Sequence, residues 1–124
     1  MLDPNTRNKD TKAIITGGAQ GIGFAIARQL AAEGCKSIVL AGRTPEKGAK
    51  AVDQLKALGA DALFVQADVS KVEDCRRIVA SALDRFGTIN GLVNTGGAHL
   101  LDHAIALFVL GLSSGTWPPP TPTA

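Results

Sequence analysis

The residues best suited to chemistry lie in one glycine-rich segment, Thr16-Gly17-Gly18-Ala19-Gln20-Gly21-Ile22-Gly23. An apolar run precedes it and a stretch with helical spacing follows, so we expect a strand to pass into a helix here. Glycines let a backbone approach a phosphate, and the first amides of a helix donate to an anion. The segment therefore predicts a turn for the pyrophosphate of a dinucleotide, shaped by Gly17, Gly21 and Gly23. Its donors would be the amides of Ile22 and Gly23, unless the turn is purely architectural and binds no ligand.

Two further side chains are placed to act on such a ligand. The hydroxyl group of Thr16 is expected to tie the turn to a neighbouring strand. Arg43 stands twenty residues beyond Gly23, where a site that prefers NAD commonly places an acid for the ribose 2′-hydroxyl. A guanidinium is a permanently charged, bidentate partner for a 2′-phosphate, so Arg43 favours NADP and leaves NAD as the alternative.

These residues need a scaffold, and short apolar runs predict four strands, at 12–16, 37–41, 62–66 and 89–94. The segments between them have helical spacing. Thr44 and Pro45 predict the N-cap and first residue of the second helix, and Ser70-x-x-Glu73 predicts a capping box for the third. The apolar face of the first helix is expected at Ile22, Ala25, Ile26 and Leu30. The apolar stripe of the third is expected at Val72, Cys75, Ile78, Val79, Ala82, Leu83 and Phe86.

Apolar strands that alternate with helices predict an α/β fold, a Rossmann-type doubly wound parallel sheet. Right-handed crossovers give the strand order 3-2-1-4, with the switch point between the first and fourth strands. The loops after all four strands would then face one crevice, where a dinucleotide would bind. With about four strands the sheet is incomplete, and one edge of the fourth strand is exposed.

Composition restricts the partners. Of the 124 residues 45% are hydrophobic and 19% are charged, and the formal net charge is +2, which favours neither nucleic acid nor a membrane surface. The apolar run 104–112 is well short of the ~20 residues of a membrane span. Cys35 and Cys75 are too few for a disulfide framework or a zinc site, and we expect them to be reduced. The polar leader, 1–11, lacks the apolar core of a signal peptide and predicts a cytoplasmic location.

The spacing Thr-Gly-x-x-x-Gly-x-Gly, at 16–23, resembles the short-chain dehydrogenase/reductase family of NAD(P)-dependent oxidoreductases. The resemblance covers 12–97, which we expect to form one NAD(P)-binding Rossmann-type domain. It implies that Asp68 accepts a hydrogen bond from the adenine amino group and that the Val69 amide contacts the ring. Gln20 stands where some NADP-preferring members carry a second basic residue.

The end of the fourth strand also resembles this family, whose members have Asn-Asn-Ala-Gly there. Asn94 and Gly97 match that segment, which implies a sheet-stabilising and cofactor-side role for Asn94 and a close approach of the backbone to the ribose. Thr95 and Gly96 depart from it, and a looser backbone is expected at these two positions.

Family members transfer a hydride with the help of a Tyr-x-x-x-Lys pair and a serine, all beyond the fourth strand. This chain has no tyrosine, and its last lysine is Lys71, so we expect no catalytic residue. From 98 the sequence departs from the family, with an apolar stretch and then a proline-rich end. We interpret 98–124 as a divergent tail of a shortened product, which a frameshift, alternative splicing or a gene-model error would explain.

Two functions are therefore open. The first is the NAD(P)-binding portion of an oxidoreductase that acts between a nicotinamide and a carbonyl or alcohol substrate. The second is a non-catalytic nucleotide-binding or interaction fragment that pairs with a full-length relative, or with itself, through the exposed sheet edge. His99 and His103 have the spacing of a metal-binding pair, but a third ligand is not evident nearby, so no metal site is predicted.

Overall fold

The computed structural model describes residues 6–95, in which strands and helices alternate. The elements are β1 (Lys12–Thr16), α1 (Gly21–Ala32), β2 (Ser37–Gly42), α2 (Pro45–Ala57), β3 (Asp61–Gln66), α3 (Val72–Phe86) and β4 (Gly91–Asn94). Each predicted strand and helix is present, although β4 begins at Gly91 rather than at Ile89. The predictions for Gly97, for the histidine pair and for the tail lie outside the described residues.

The strands form one parallel sheet in the order β3-β2-β1-β4, as predicted. β1 is central: Ile14 lies opposite Val39 of β2 on one side and opposite Leu92 of β4 on the other. The strand order reverses between β1 and β4, so the switch point lies there. Because all strands are parallel, the loops that follow them open at the same edge of the sheet, which is where ligands of doubly wound folds bind.

Two apolar layers cover the two faces of this sheet. Ile14 and Ile15 are both fully buried but lie in different layers, because successive side chains of a strand point to opposite faces. One layer packs β-strand residues against α3 through Cys75, Ile78, Val79 and Ala82. The other packs them against α1 and α2 through Ala27, Ala31, Ala51 and Leu55. Burial on both faces explains why the strands read as continuous apolar runs.

The apolar face of α1 was predicted wrongly in part. Ile22 is 75% exposed and Ala25 is exposed, whereas the buried positions are Gly23, Ala27 and Ala31. Small residues occupy the buried stripe because α1 lies close to the preceding turn and the sheet. Ile26 and Leu30 are half-buried at the border of that stripe.

The capping box predicted for α3 is not formed. The N-cap is Lys71, without a side-chain hydrogen bond to the helix, and the Ser70 hydroxyl donates instead to Asp68 Oδ1 at 2.6 Å. Short polar side chains readily bond their neighbours in a turn. Because α3 begins at Val72, Ser70 lies one residue before the N-cap, and its hydroxyl bonds to Asp68 rather than to a helix amide. Val72, expected on the apolar stripe, is 44% exposed, while the rest of the stripe is buried or half-buried.

The ends of α2 agree with the sequence pattern more closely. Thr44 is the N-cap in an extended conformation and Pro45 is the first helical residue, although the Thr44 side chain makes no capping hydrogen bond. Across residues 6–95, no helix has the length and apolar character that a membrane span requires. Cys35 and Cys75 are buried and not joined by a disulfide bond, and burial raises the pKa of the Cys35 thiol.

Candidate functional site

A cleft of about 880 Å³ opens at the carboxyl edge of the sheet. This volume is within the range of small-molecule sites, roughly 300–1,000 Å³. Its lining residues come from the turn after β1, the loop after β2, the loop after β3 and the end of β4. They are Gly17, Ala19, Gln20, Gly21, Ile22, Gly23, Ala41, Gly42, Arg43, Thr44, Lys47, Ala67, Val69 and Thr95. Of the predicted site residues, Thr16, Asp68 and Asn94 do not line this cleft.

The three glycines of the turn are required for different reasons. Gly21 has a φ of 58°, and no atom of residues 6–95 lies within 4 Å of the position that a Cβ would take, so this face of the turn is open in the described part of the chain. Gly17 has a φ of 66°, and a Cβ there would lie 2.6 Å from Thr95 Oγ1. A Cβ on Gly23 would collide with the Gly17 carbonyl oxygen. Only Gly21 leaves space for a ligand, while the other two make room for the protein itself.

The amino terminus of α1 adjoins this open position. Its N-cap, Gln20, is extended and makes no side-chain capping bond, and the first turn contains no acidic residue. The first amides of a helix lack intrahelical acceptors, and the helix dipole adds a partial positive charge there. The start of α1 at Gly21 and Ile22 is therefore suited to an anion, as the glycine spacing predicted.

A buried polar bridge holds the turn from behind. Thr16 is fully buried, and its hydroxyl lies 3.3 Å from both the Val93 carbonyl oxygen and Asn94 Oδ1. The same hydroxyl accepts a hydrogen bond from the Thr95 amide at 3.2 Å, and the Thr95 hydroxyl donates to the Thr16 carbonyl oxygen at 2.5 Å. The predicted tie between Thr16 and a neighbouring strand is present. Thr95, where a looser backbone was expected, thus contributes two hydrogen bonds to Thr16, and Gly96 lies outside the described residues.

The outer end of the cleft carries two cations. Arg43 and Lys47 line it together with Gln20, and its lining within residues 6–95 includes no Asp or Glu. Lys47 Nζ donates to Gln20 Oε1 at 2.5 Å, which joins α2 to the turn before α1. The resulting positive character suits a phosphate. Sequence reasoning found Arg43 but missed Lys47 and Thr95, whose positions depend on contacts distant in sequence.

Asp68 lies beside this cleft. It lines a second cavity of about 330 Å³ that shares Arg43 and Ala67 with the first. Asp68 Oδ1 accepts hydrogen bonds from the Ser70 amide at 2.9 Å and the Ser70 hydroxyl at 2.6 Å. These bonds, with a smaller contribution from the positive charge of Arg43, hold the pKa of the Asp68 carboxyl below its ordinary value. The carboxylate is thus an ionised acceptor next to Val69, which lines the main cleft.

Asp74 fixes the loop that carries Asp68. Asp74 Oδ2 accepts a hydrogen bond from the Asp68 amide at 2.8 Å, which is the main cause of a lowered Asp74 pKa. Arg77 lies 3.4 Å from Asp74 Oδ1 and donates to the Gln66 carbonyl oxygen at 2.6 Å. Among residues 6–95, no group of three His, Cys, Asp or Glu side chains is arranged to hold a metal ion.

Comparison with known proteins gives a consistent result. A family model described as short chain dehydrogenase matches residues 11–108. The oxidoreductase YxnA of Bacillus subtilis is 40% identical over 101 residues, which is 82% of this chain and 28% of that protein. The peroxisomal 2,4-dienoyl-CoA reductase of Arabidopsis thaliana is 40% identical over 89 residues, 72% of this chain and 30% of the reductase.

A solved structure extends the comparison to the backbone. L-sorbose reductase from Gluconobacter frateurii, complexed with NADPH and L-sorbose, matches with a TM-score of 0.69 at 36% sequence identity. The match covers 77% of this chain and 36% of that one. The chain thus spans about a third of the length of these three relatives.

Proposed function

Because the chain belongs to the short-chain dehydrogenase family, we propose that residues 12–97 are the NAD(P)-binding portion of an oxidoreductase. The complete reaction would transfer a hydride between a nicotinamide and a carbonyl or alcohol substrate. The observation that carries the proposal is the cleft at the switch point. It combines the open glycine Gly21, the amino terminus of α1 and two cations, and within residues 6–95 its lining contains no carboxylate.

The residues of the cleft fit a dinucleotide along its length. We propose that the amides of Ile22 and Gly23 bind the pyrophosphate, with Thr16 and Thr95 holding the turn in place from behind. At the other end, the Val69 amide would contact the adenine ring. Asp68 would accept from the adenine amino group with the carboxylate oxygen that Ser70 does not occupy. Asn94 and Gly97 are proposed for the nicotinamide side, on the strength of the segment that they match.

NADP is the proposed dinucleotide. Arg43 directly follows β2, where an acid would favour NAD, and within residues 6–95 the lining of the main cleft contains the cations Arg43 and Lys47 and no Asp or Glu. The 2′-phosphate adds a charge of about −1.5 to −2 near neutral pH, as a phosphorylated side chain does. The NADPH in the structure of L-sorbose reductase also supports this choice.

We further propose that the chain does not catalyse turnover alone. Bound NAD(P)H would supply the hydride, but the substrate oxygen also requires a proton donor. The chain has no tyrosine and no lysine after Lys71, so it lacks the family's Tyr-x-x-x-Lys pair. Within the described residues, the cleft is also lined by no His, Asp or Glu that could replace it. A cytoplasmic location stays a prediction from the polar leader.

A second candidate function follows from β4. This strand is at the end of the sheet, and within residues 6–95 its outer edge has no partner strand. Unpaired strand edges readily pair with another chain. A non-catalytic nucleotide-binding or interaction fragment, joined to a full-length relative or to a second copy through this edge, is therefore the alternative.

Calorimetric titration of the full chain with NADPH and NADH tests the proposal. Gly21→Trp fills the open position and should abolish binding of both nucleotides. Gly59→Trp is the matched control, because Gly59 also has a positive φ, of 93°, with no described atom within 4 Å of a Cβ, but follows α2 and does not line the cleft. We expect saturable binding to the wild type and the control only. Equal binding to both variants, or no binding to a cooperatively folded wild type, would contradict the proposal.

A further inference from the structure

We infer that Lys47, positioned by Gln20, is a second cation for the 2′-phosphate of NADP and sets the preference for this dinucleotide together with Arg43. The inference rests on the proposed function, since it assigns one end of the same cleft. It names Lys47 as a specificity-determining residue and Gln20 as the residue that positions it.

The contact between these two side chains crosses the mouth of the cleft. Lys47 lies in the first turn of α2, and Gln20 ends the turn before α1, 27 residues earlier in the chain. Gln20 makes no side-chain capping bond to α1, so its amide oxygen is available to accept from the Lys47 ammonium. Both residues line the cleft with Arg43. The contact therefore brings the charge of Lys47 to the face that the dinucleotide would occupy.

The position of Lys47 is electrostatically unfavourable without an anion. The helix dipole is positive in the first turn, so a lysine there is normally destabilising, and an acid such as the neighbouring Glu46 is favoured. Within residues 6–95, Lys47 forms no ion pair with a carboxylate, and its side chain donates to the neutral amide of Gln20. An ammonium group has three donors, so two remain after the bond to Gln20.

The surroundings identify the anion. Among residues 6–95, the ammonium of Lys47 and the guanidinium of Arg43 are the charged groups of the cleft lining, and both come from the segment that follows β2 and begins α2. A dianionic phosphate on the ribose would gain hydrogen bonds to both groups, whereas a 2′-hydroxyl would gain little from either charge. Lys47 would therefore discriminate between NADP and NAD and contribute little to binding of the part that they share.

The test compares ligands that differ in the 2′-phosphate, titrated into the full chain by calorimetry. NADPH is compared with NADH, and adenosine 2′,5′-bisphosphate with AMP. Lys47→Gln should weaken the binding of NADPH and of the bisphosphate about five- to tenfold, as expected for the loss of one charge-assisted hydrogen bond. The affinities for NADH and AMP should stay within about twofold of the wild-type values. Lys50→Gln is the matched control, because Lys50 is an exposed lysine of the same helix that does not line the cleft.

Two further variants test the role of Gln20. Gln20→Met removes the oxygen that accepts from the Lys47 ammonium, and it should weaken the binding of NADPH by less than Lys47→Gln does. The double variant Gln20→Lys with Lys47→Gln returns one positive charge to the same end of the cleft and should restore most of the selectivity. Lack of restoration would overturn the assignment of Lys47 as a charge for this phosphate.

The remaining outcomes separate this inference from the proposed function. If the wild type prefers NADPH and Lys47→Gln changes that preference no more than Lys50→Gln, the inference on Lys47 is wrong and the proposed function stands. Equal losses for NADPH and NADH would also overturn it, because they would show a general effect on the cleft. A folded wild type that binds neither nucleotide would overturn both.

Discussion

Gly48 lies near the amino end of α2, and its replacement by alanine should destabilise the protein although helix propensity predicts the opposite. In an exposed helix, Gly→Ala stabilises by about 1 kcal/mol. Gly48 is instead buried, and a Cβ there would overlap three ring carbons of Phe64 on β3. Overpacking of a core costs about 1–3 kcal/mol, so the two effects give a net destabilisation of about 1 kcal/mol.

The same change should reach the cleft, since Gly48 follows Lys47 directly in α2. To relieve the overlap, either the Phe64 ring must tilt or α2 must move away from the sheet. Movement of α2 would displace the Lys47 ammonium from Gln20. We therefore expect Gly48→Ala to reduce the preference for NADPH over NADH as well as the free energy of unfolding.

Chemical denaturation and nucleotide titration of four variants, Gly48→Ala, Ala49→Gly, Phe64→Leu and the double variant Gly48→Ala with Phe64→Leu, measure these effects. Ala49→Gly, at an exposed position of the same helix, gives the propensity difference between the two residues in this context. Gly48→Ala in combination with Phe64→Leu should lose less stability than the two single changes added together, because the smaller side chain relieves the overlap. If Gly48→Ala stabilises by as much as Ala49→Gly destabilises, the packing argument is refuted.

Three further predictions concern the rest of the site and the fold. Arg43→Ala should weaken the binding of NADPH about tenfold or more, as expected for the loss of a bidentate charge-assisted contact, and the affinity for NADH should be nearly unchanged in the same titration. Thr95→Val keeps the shape but removes the hydroxyl that donates to Thr16; urea unfolding should show a loss of about 1 kcal/mol, and unchanged stability would contradict the proposed bridge. Arg85, whose hydrogen bonds lower the pKa of Asp61, should stabilise the protein above the ordinary Asp pKa of 3.8 and lose this effect as the pH falls through the lowered value. The free energy of unfolding of Arg85→Gln should therefore be lower than that of the wild type at pH 7, and the two values should converge in acid. An equal difference at both pH values would exclude the Arg85–Asp61 pair as the cause.

The overall fold could be predicted because its signals are local. Ile14 and Ile15 are both apolar because both faces of β1 are covered, and such runs indicate a parallel sheet. The glycine spacing then located the turn at the switch point. The buried face of α1 was harder to predict: Ala27 and Ala31 are less hydrophobic than Ile22, yet they are buried because the helix packs closely on the sheet.

The details of the cleft depend on contacts that no local pattern reports. In the sequence, Lys47 cannot be distinguished from other solvated lysines, and only the structure places its ammonium beside Gln20. Thr95 reads as a departure from a family segment until its hydroxyl is found on the Thr16 carbonyl oxygen. The capping prediction at Ser70 was wrong for a related reason, since α3 begins one residue later than the pattern predicted and the Ser70 hydroxyl donates to Asp68, a contact that the pattern does not report.

The bridge between Thr16 and Thr95 also bears on the order of events during synthesis. Its two residues are separated by 79 positions, so the glycine turn is translated long before the strand that braces it. At about 5–20 residues per second, the ribosome needs roughly 4–16 s to pass from one to the other. During that interval the nascent chain has the turn but not its support. The ability to hold a nucleotide should therefore arise late and in a single step, when β4 joins the sheet.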